Sequence, residues 1–185
     1  WPLEEDTISD DGDWWLMQGP TGSINTGPQG DHTTGAGIYY YIEASLNGVS
    51  YPSQTAITYT PTFDVSQTPG QILSFWYHMY GSSMGDLEVG IVDNNGYTFL
   101  DLISGDQGDE WRLAYYTIPP TDTFKVQFTG TTGTLYFSDI CIDDLYVGDP
   151  YVIGCMDSSA LNYDPTAIVD DGSCAYPPCG GFAAY

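Results

Sequence analysis

Basic residues are nearly missing from this chain. Arg112 and Lys125 are the only two among 185 residues, against 25 aspartates and glutamates, so the formal net charge is −23. Such a surface cannot neutralise a run of phosphates, which excludes nucleic acid as a partner. It gains nothing from an anionic membrane surface either. Long apolar runs are also absent, none approaching the ~18 residues a membrane helix needs, so no membrane insertion is expected. Trp1 opens the chain without a basic-plus-apolar leader, and the expectation is a soluble body whose export signal, if it had one, is gone. Glutamate is scarce, only 5 of the 25 acids. Aspartate favours turns, caps and ligand loops where glutamate favours helices.

Catalytic patterns are lacking too. His32 and His78 stand far apart with no H-E-x-x-H arrangement, and no phosphate loop exists. A carboxylate pair could be drawn from so many aspartates, but that abundance empties the signal. The chain is read as not an enzyme, and each histidine as a structural imidazole.

What is present is a folded, aromatic-rich body: 16 Tyr, 7 Phe and 5 Trp, too many for a disordered acidic tail. Period-two alternation and β-branched or aromatic runs predict strands at Ile38–Ser45, Ala56–Val65, Gln71–Gly81, Asp86–Asp93, Tyr97–Ile103, Trp111–Ile118, Thr123–Thr129 and Asp139–Val147. Asn95-Gly96 predicts a type I′ hairpin turn between two of them. In the run around His78, alternation puts Trp76 and Tyr80 on its face and Phe75, Tyr77 and Met79 on the other. Such a pattern predicts an all-β fold: a jelly-roll β-sandwich of two antiparallel sheets, plus a small disulfide-stapled C-terminal segment.

Composition changes near Gly148-Asp149-Pro150, dividing the chain into residues 1–149 and 150–185. Cys155, Cys174 and Cys179 follow within a segment too short to bury its own core. A Cys155–Cys174 disulfide would contribute roughly 3 kcal/mol and imply an oxidising, extracellular or periplasmic compartment. Cys141 is left open, as a small buried hydrophobe or a partner for Cys179.

Several motifs carry a resemblance. Thr26-Gly27-Pro28-Gln29-Gly30-Asp31-His32-Thr33 precedes Gly37-Ile38-Tyr39-Tyr40-Tyr41; Leu73-Ser74-Phe75-Trp76-Tyr77-His78-Met79-Tyr80-Gly81 precedes Met84-Gly85-Asp86-Leu87. Gly105-Asp106-Gln107-Gly108 with Trp111, and the closing Ser138-Asp139-Ile140-Cys141-Ile142-Asp143-Asp144-Leu145, complete the set. In this order they resemble MAM domains. The resemblance implies a jelly-roll sandwich serving as a non-catalytic adhesive or accessory module of extracellular proteins. The cysteines of animal members are missing here, Gln71-Ile72 preceding Leu73, and Trp1-Pro2-Leu3-Glu4-Glu5 matches the family's opening only loosely. Residues 154–174 resemble a second element, a short Cys-containing repeat of large secreted bacterial surface proteins.

Jelly-roll modules commonly hold a structural ion where the first strand, an early loop and the last strand meet, and the resemblance brings those places together. Calcium, which takes 6–8 oxygen ligands, is therefore expected at Asp31, Thr33 and Asp143 or Asp144, with Asp13 or Glu5 from the N-terminus. Alternation lets only one of Asp143 and Asp144 face the ion. Asp157, Asn162, Asp164, Asp170 and Asp171 form a second possible metal set, without EF-hand spacing. The plainer alternative is that these aspartates cap turns and coat the surface.

The expected partner is a protein, through binding or self-association, with glycan as the alternative ligand of a carbohydrate-binding accessory module. Tyr39-Tyr40-Tyr41 and Tyr115-Tyr116 put aromatics on both strand faces, where rings stack on sugars or pack on proteins. Self-association into a fibre is the remaining expectation, by way of the uncharged run Thr55–Thr62, which Pro61 marks as an edge, and the apolar tail after Cys174.

Overall fold

The computed structural model describes residues 10–45, 52–68, 70–150, 152–167 and 169–177. Contacts divide the chain into two compact units, Trp1–Gly148 and Asp149–Tyr185. The first unit holds ten strands among the described residues, all paired antiparallel. They are β1 (Trp15–Gln18), β2 (Ile38–Ile42), β3 (Thr55–Tyr59), β4 (Phe63–Asp64), β5 (Ile72–Met79), β6 (Asp86–Asp93), β7 (Gly96–Ser104), β8 (Arg112–Thr117), β9 (Thr123–Thr131) and β10 (Ile140–Gly148). One sheet runs β1-β2-β10-β5-β8 and the other β3-β9-β6-β7, with β4 adding to the end of β9. No helix among the described residues is long and apolar enough to cross a membrane.

Alternation explains the core between the sheets. Leu73, Phe75, Tyr77 and Met79 of β5 and Ile140 and Ile142 of β10 meet Leu87, Val89 and Ile91 of β6 and Val126 and Phe128 of β9. Phe75 and Phe128 meet edge to face with centroids 4.9 Å apart. Burying each such ring contributes roughly 2–3 kcal/mol.

Three local expectations change. The run Ala56–Val65 breaks into β3 and β4 at Pro61, where no N–H exists to continue the ladder; Thr60 bridges the gap by accepting the Val126 N–H on its hydroxyl at 2.9 Å. The β6–β7 turn is Asn94-Asn95, because Asp93 pairs with Gly96. Neither asparagine has positive φ; Gly96, at φ 114°, takes that burden instead, the pattern of an ordinary turn followed by a glycine bulge rather than type I′. Strand β1 was not foreseen, being four residues with no buried alternate positions.

β3 is an edge strand, and its edge is covered. Thr55 and Ile57 donate their outward N–H groups to the carboxylates of Asp11 (3.0 Å) and Asp10 (2.7 Å). Asp11 N–H returns a bond to the Thr55 carbonyl. Aspartate here does the guarding usually left to lysine.

The second unit is stapled by the Cys155–Cys174 disulfide, with Cα atoms 4.8 Å apart. Short bridges join Ile153 to Val169 and Cys155 to Tyr163. Cys141 is buried and free. Cys179 and the tail from 178 onward lie outside the described residues.

Candidate functional site

The segment 19–37, between β1 and β2, covers the outward face of the central strands. Asp31 ties it together, accepting hydrogen bonds from Thr34 N–H (2.9 Å), Thr34 hydroxyl (3.0 Å) and Gly37 N–H. Burial pushes the Asp31 carboxyl up, but these donors outweigh it and hold the group below its ordinary range. Gly37 must be glycine here, since a Cβ would sit 2.7 Å from Asp31 Oδ2. Tyr39, buried beneath, donates its hydroxyl to the Gly19 carbonyl at 2.7 Å.

His32 is the anchor. Its ring stacks on Trp76 with centroids 3.7 Å apart and planes 14° from parallel. Its N–H donates to Asp143 Oδ2 at 2.9 Å, and its Nδ1 lies 2.8 Å from Asp144 Oδ2, an oxygen that also accepts the Thr33 hydroxyl. Trp111 closes the side, donating its indole N–H to the Gly30 carbonyl at 3.1 Å.

Strict alternation fails at this point. The β10–β5 register slips between Asp143 and Tyr146, and Asp144 adopts φ +47°. That bulge turns both carboxylates toward His32-Thr33, so Asp143 and Asp144 share one site, against the expectation that one of them points away.

Of the expected metal set, Thr33, Asp143 and Asp144 are brought together and Asp31 caps its own loop beside them. Asp13 is exposed and precedes the end of β1 that pairs with Tyr41, whereas the loop meets the opposite end, where Gln18 bonds the Ala36 carbonyl at 2.8 Å. Glu5 lies outside the described residues. In the second unit the acids cap their own turns: Asp157 binds Ser159 N–H, Asp164 binds Thr166, Asp170 binds Gly172 and Asp171 binds Ser173. Asn162 bridges to Ser173 and Ala175. Among the described residues no group of three or more His, Cys, Asp or Glu side chains is arranged to hold a metal ion.

Sequence reasoning missed Asp139. Fully buried at the start of β10, it donates its N–H to Thr26 Oγ1 (2.9 Å) and accepts Ala44 N–H on Oδ1 (3.0 Å), while Oδ2 has no hydrogen-bond partner. Burial, with the charge of Glu43 nearby, pushes its pKa up to about 7. Glu43 lines an open cleft of about 410 Å³ with Trp15, Gly22, Ser23, Tyr41 and Ser45. An aspartate directly before Ile140-Cys141-Ile142 was the available signal, since a charge entering a buried strand needs a partner. His78 is likewise only half satisfied: Nε2 lies 3.2 Å from Asp109, Nδ1 has no partner, and burial lowers its pKa against the pull of Asp109.

The MAM domain, meprin/A5/mu, matches residues 4–150. The chain belongs to the MAM family. It is 36% identical over 152 residues to thyroid hormone-induced protein B of Xenopus laevis, covering 80% of this chain and 21% of that protein. It is 34% identical over 147 residues to human MAM domain-containing glycosylphosphatidylinositol anchor protein 1, covering 75% and 15%. It thus spans about a fifth or less of these relatives' lengths. The K1 cleaved adhesin domain of Lys-gingipain from Porphyromonas gingivalis W83 shares the fold, with a TM-score of 0.54 at 19% identity over 78% of this chain and 88% of that one. MAM domains are extracellular adhesion-type modules, most of them non-catalytic.

Proposed function

We propose that this chain is a non-catalytic recognition module of an extracellular protein, binding a protein or glycan partner through its sandwich surface. The match of residues 4–150 to an adhesion-type family carries this reading. The Cys155–Cys174 disulfide supports an oxidising compartment. Purified chain on beads should adhere to cells bearing its partner, and protease or glycosidase treatment of those cells tells protein from glycan; beads that adhere to nothing would refute the reading.

Three finer features are proposed with it. The tail's resemblance to a repeat of bacterial surface proteins supports a bacterial surface origin. Self-association into a fibre would have to use another surface than the β3 edge, which Asp10 and Asp11 already occupy; sedimentation of the whole chain tests it. A structural calcium ion is proposed at Asp139 and Glu43, supported by the unpartnered Asp139 Oδ2. Asp31 and Asp143 accept N–H donors on both carboxylate oxygens, which would compete with a cation, whereas Asp139 accepts the Ala44 N–H on Oδ1 and Glu43 the Ser45 N–H on Oε1. Bound there, the ion would supply the positive charge that two neighbouring carboxylates lack.

A further inference from the structure

The outward face of the second sheet differs from the rest of this acidic protein. Ala56, Thr58, Val126, Phe128, Val89 and Ile91 point into the sandwich and are buried, so the alternate residues face out. The register puts Tyr59, Gln127, Gly90 and Phe99 in one row across β3, β9, β6 and β7. Ile57, Thr129, Glu88 and Leu102 form the next.

Gly90 is the device that shapes the face. A Cβ there would lie 2.3 Å from Tyr97 Cε2 and 2.5 Å from its hydroxyl, so the Tyr97 ring lies across the glycine. Its hydroxyl donates to Glu88 Oε1 at 2.5 Å, fixing the ring at both ends. Yet Tyr97 remains 44% exposed, Phe99 55% and Leu102 48%. Two rings thus stand on an edge strand, one of them immobilised before any ligand arrives, which lowers the ordering cost of binding. Meanwhile Tyr39, singled out from sequence, is buried, and Tyr116 spends its hydroxyl on Asp101 at 3.0 Å.

Charge selects the occupant. The chain carries −23, but this face carries one acid beside the rings, Glu88, and the chain's only lysine, Lys125, opposite Val92 in the row of Tyr97. Asp86 sits at the rim, bonded to the Ser104 hydroxyl. A second copy or an acidic protein would meet the repulsion of the whole body. A neutral ligand would not. Rings flanked by an amide, hydroxyls and one carboxylate suit a molecule with an apolar face and hydroxyl edges, which describes a pyranose.

We propose that the outward face of the second sheet binds a neutral glycan, sugar rings stacking on Tyr97 and Phe99 while Gln127 and Glu88 take their hydroxyls. The proposal rests on the reading of this chain as an extracellular recognition module and names its surface and ligand class. The test is calorimetric titration of the whole chain with cellotetraose, mannotetraose and galactotetraose, and with a heparin tetrasaccharide as the anionic control. At least one neutral tetrasaccharide should bind, with affinity unchanged by salt, and the heparin fragment should not. Phe99→Ala, at an exposed position, should weaken binding roughly tenfold with the melting temperature held. Tyr97→Phe, which keeps the ring and loses only the Glu88 bond, should cost less. No neutral tetrasaccharide bound at millimolar concentration, or binding indifferent to Phe99→Ala, would overturn it. So would a dimer in sedimentation that Phe99→Ala dissociates. Cell adhesion that survives Phe99→Ala would remove the platform and leave the module reading intact.

Discussion

Asp139→Asn should make this protein more stable at pH 8, the reverse of what replacing a buried, partly bonded side chain normally does. The native carboxyl has its pKa pushed up to about 7 from an ordinary 3.8. Between those values the folded chain holds a proton that the unfolded chain has released. Its contribution is therefore fully present below about pH 4, falls as pH rises, and is gone above about pH 7. A shift of that size corresponds to about 4 kcal/mol, or on the order of 10 °C in melting temperature for a domain this large. Asparagine keeps the Oδ1 acceptor for the Ala44 N–H and cannot ionise. In chelator, the two proteins should melt together below about pH 4, diverge between about pH 4 and 7, and keep a constant gap from there to pH 8, with the variant higher. His78, held neutral by burial, works in the opposite sense as pH falls through its range, but it is common to both proteins and cancels in the difference. Asp31 and Asp93, held low by backbone donors, act only below about pH 4. Calcium should restore wild type at pH 8 and leave Asp139→Asn unmoved. Parallel melting profiles across the whole range would refute the reasoning.

Phe128→Ala removes a ring packed on Phe75 and Trp14 at the centre of the sandwich and should cost about 3–5 kcal/mol in urea unfolding. Reducing Cys155–Cys174 should release about 3 kcal/mol of loop-closure stabilisation, seen as rapid hydrogen exchange in residues 152–177 with β5, β9 and β10 still protected. Asp144→Ala deprives the His32 ring and Thr33 hydroxyl of their shared acceptor. It should quench the ordered His32–Trp76 stack, read as a changed Trp76 environment in near-UV circular dichroism, while costing only about 1 kcal/mol.

Much of the fold was legible along the chain because sandwich strands write a period of two. The heptad from Phe75 to Gly81 showed which side faces the core, and Cys155 and Cys174 announced their pairing through a segment too short to fold unaided. The candidate site was less legible. Asp31, Thr33, Asp143 and Asp144 could be named, but alternation misdirected Asp144, because a bulge is a register event between two strands and leaves no mark in either one alone.

Composition and alternation by themselves determined the all-β class, the acidic surface and the stapled tail, since each depends on residue type and nearest neighbours. Tertiary structure alone decided which polar groups found partners. Asp139 and His78 are ordinary residues until tertiary packing buries them and removes water, leaving Asp139 Oδ2 and His78 Nδ1 unmet. Gly90 is an ordinary glycine until the β6–β7 register brings Tyr97 across it. Burial and register are relations between distant parts of the chain, so no local pattern can encode them.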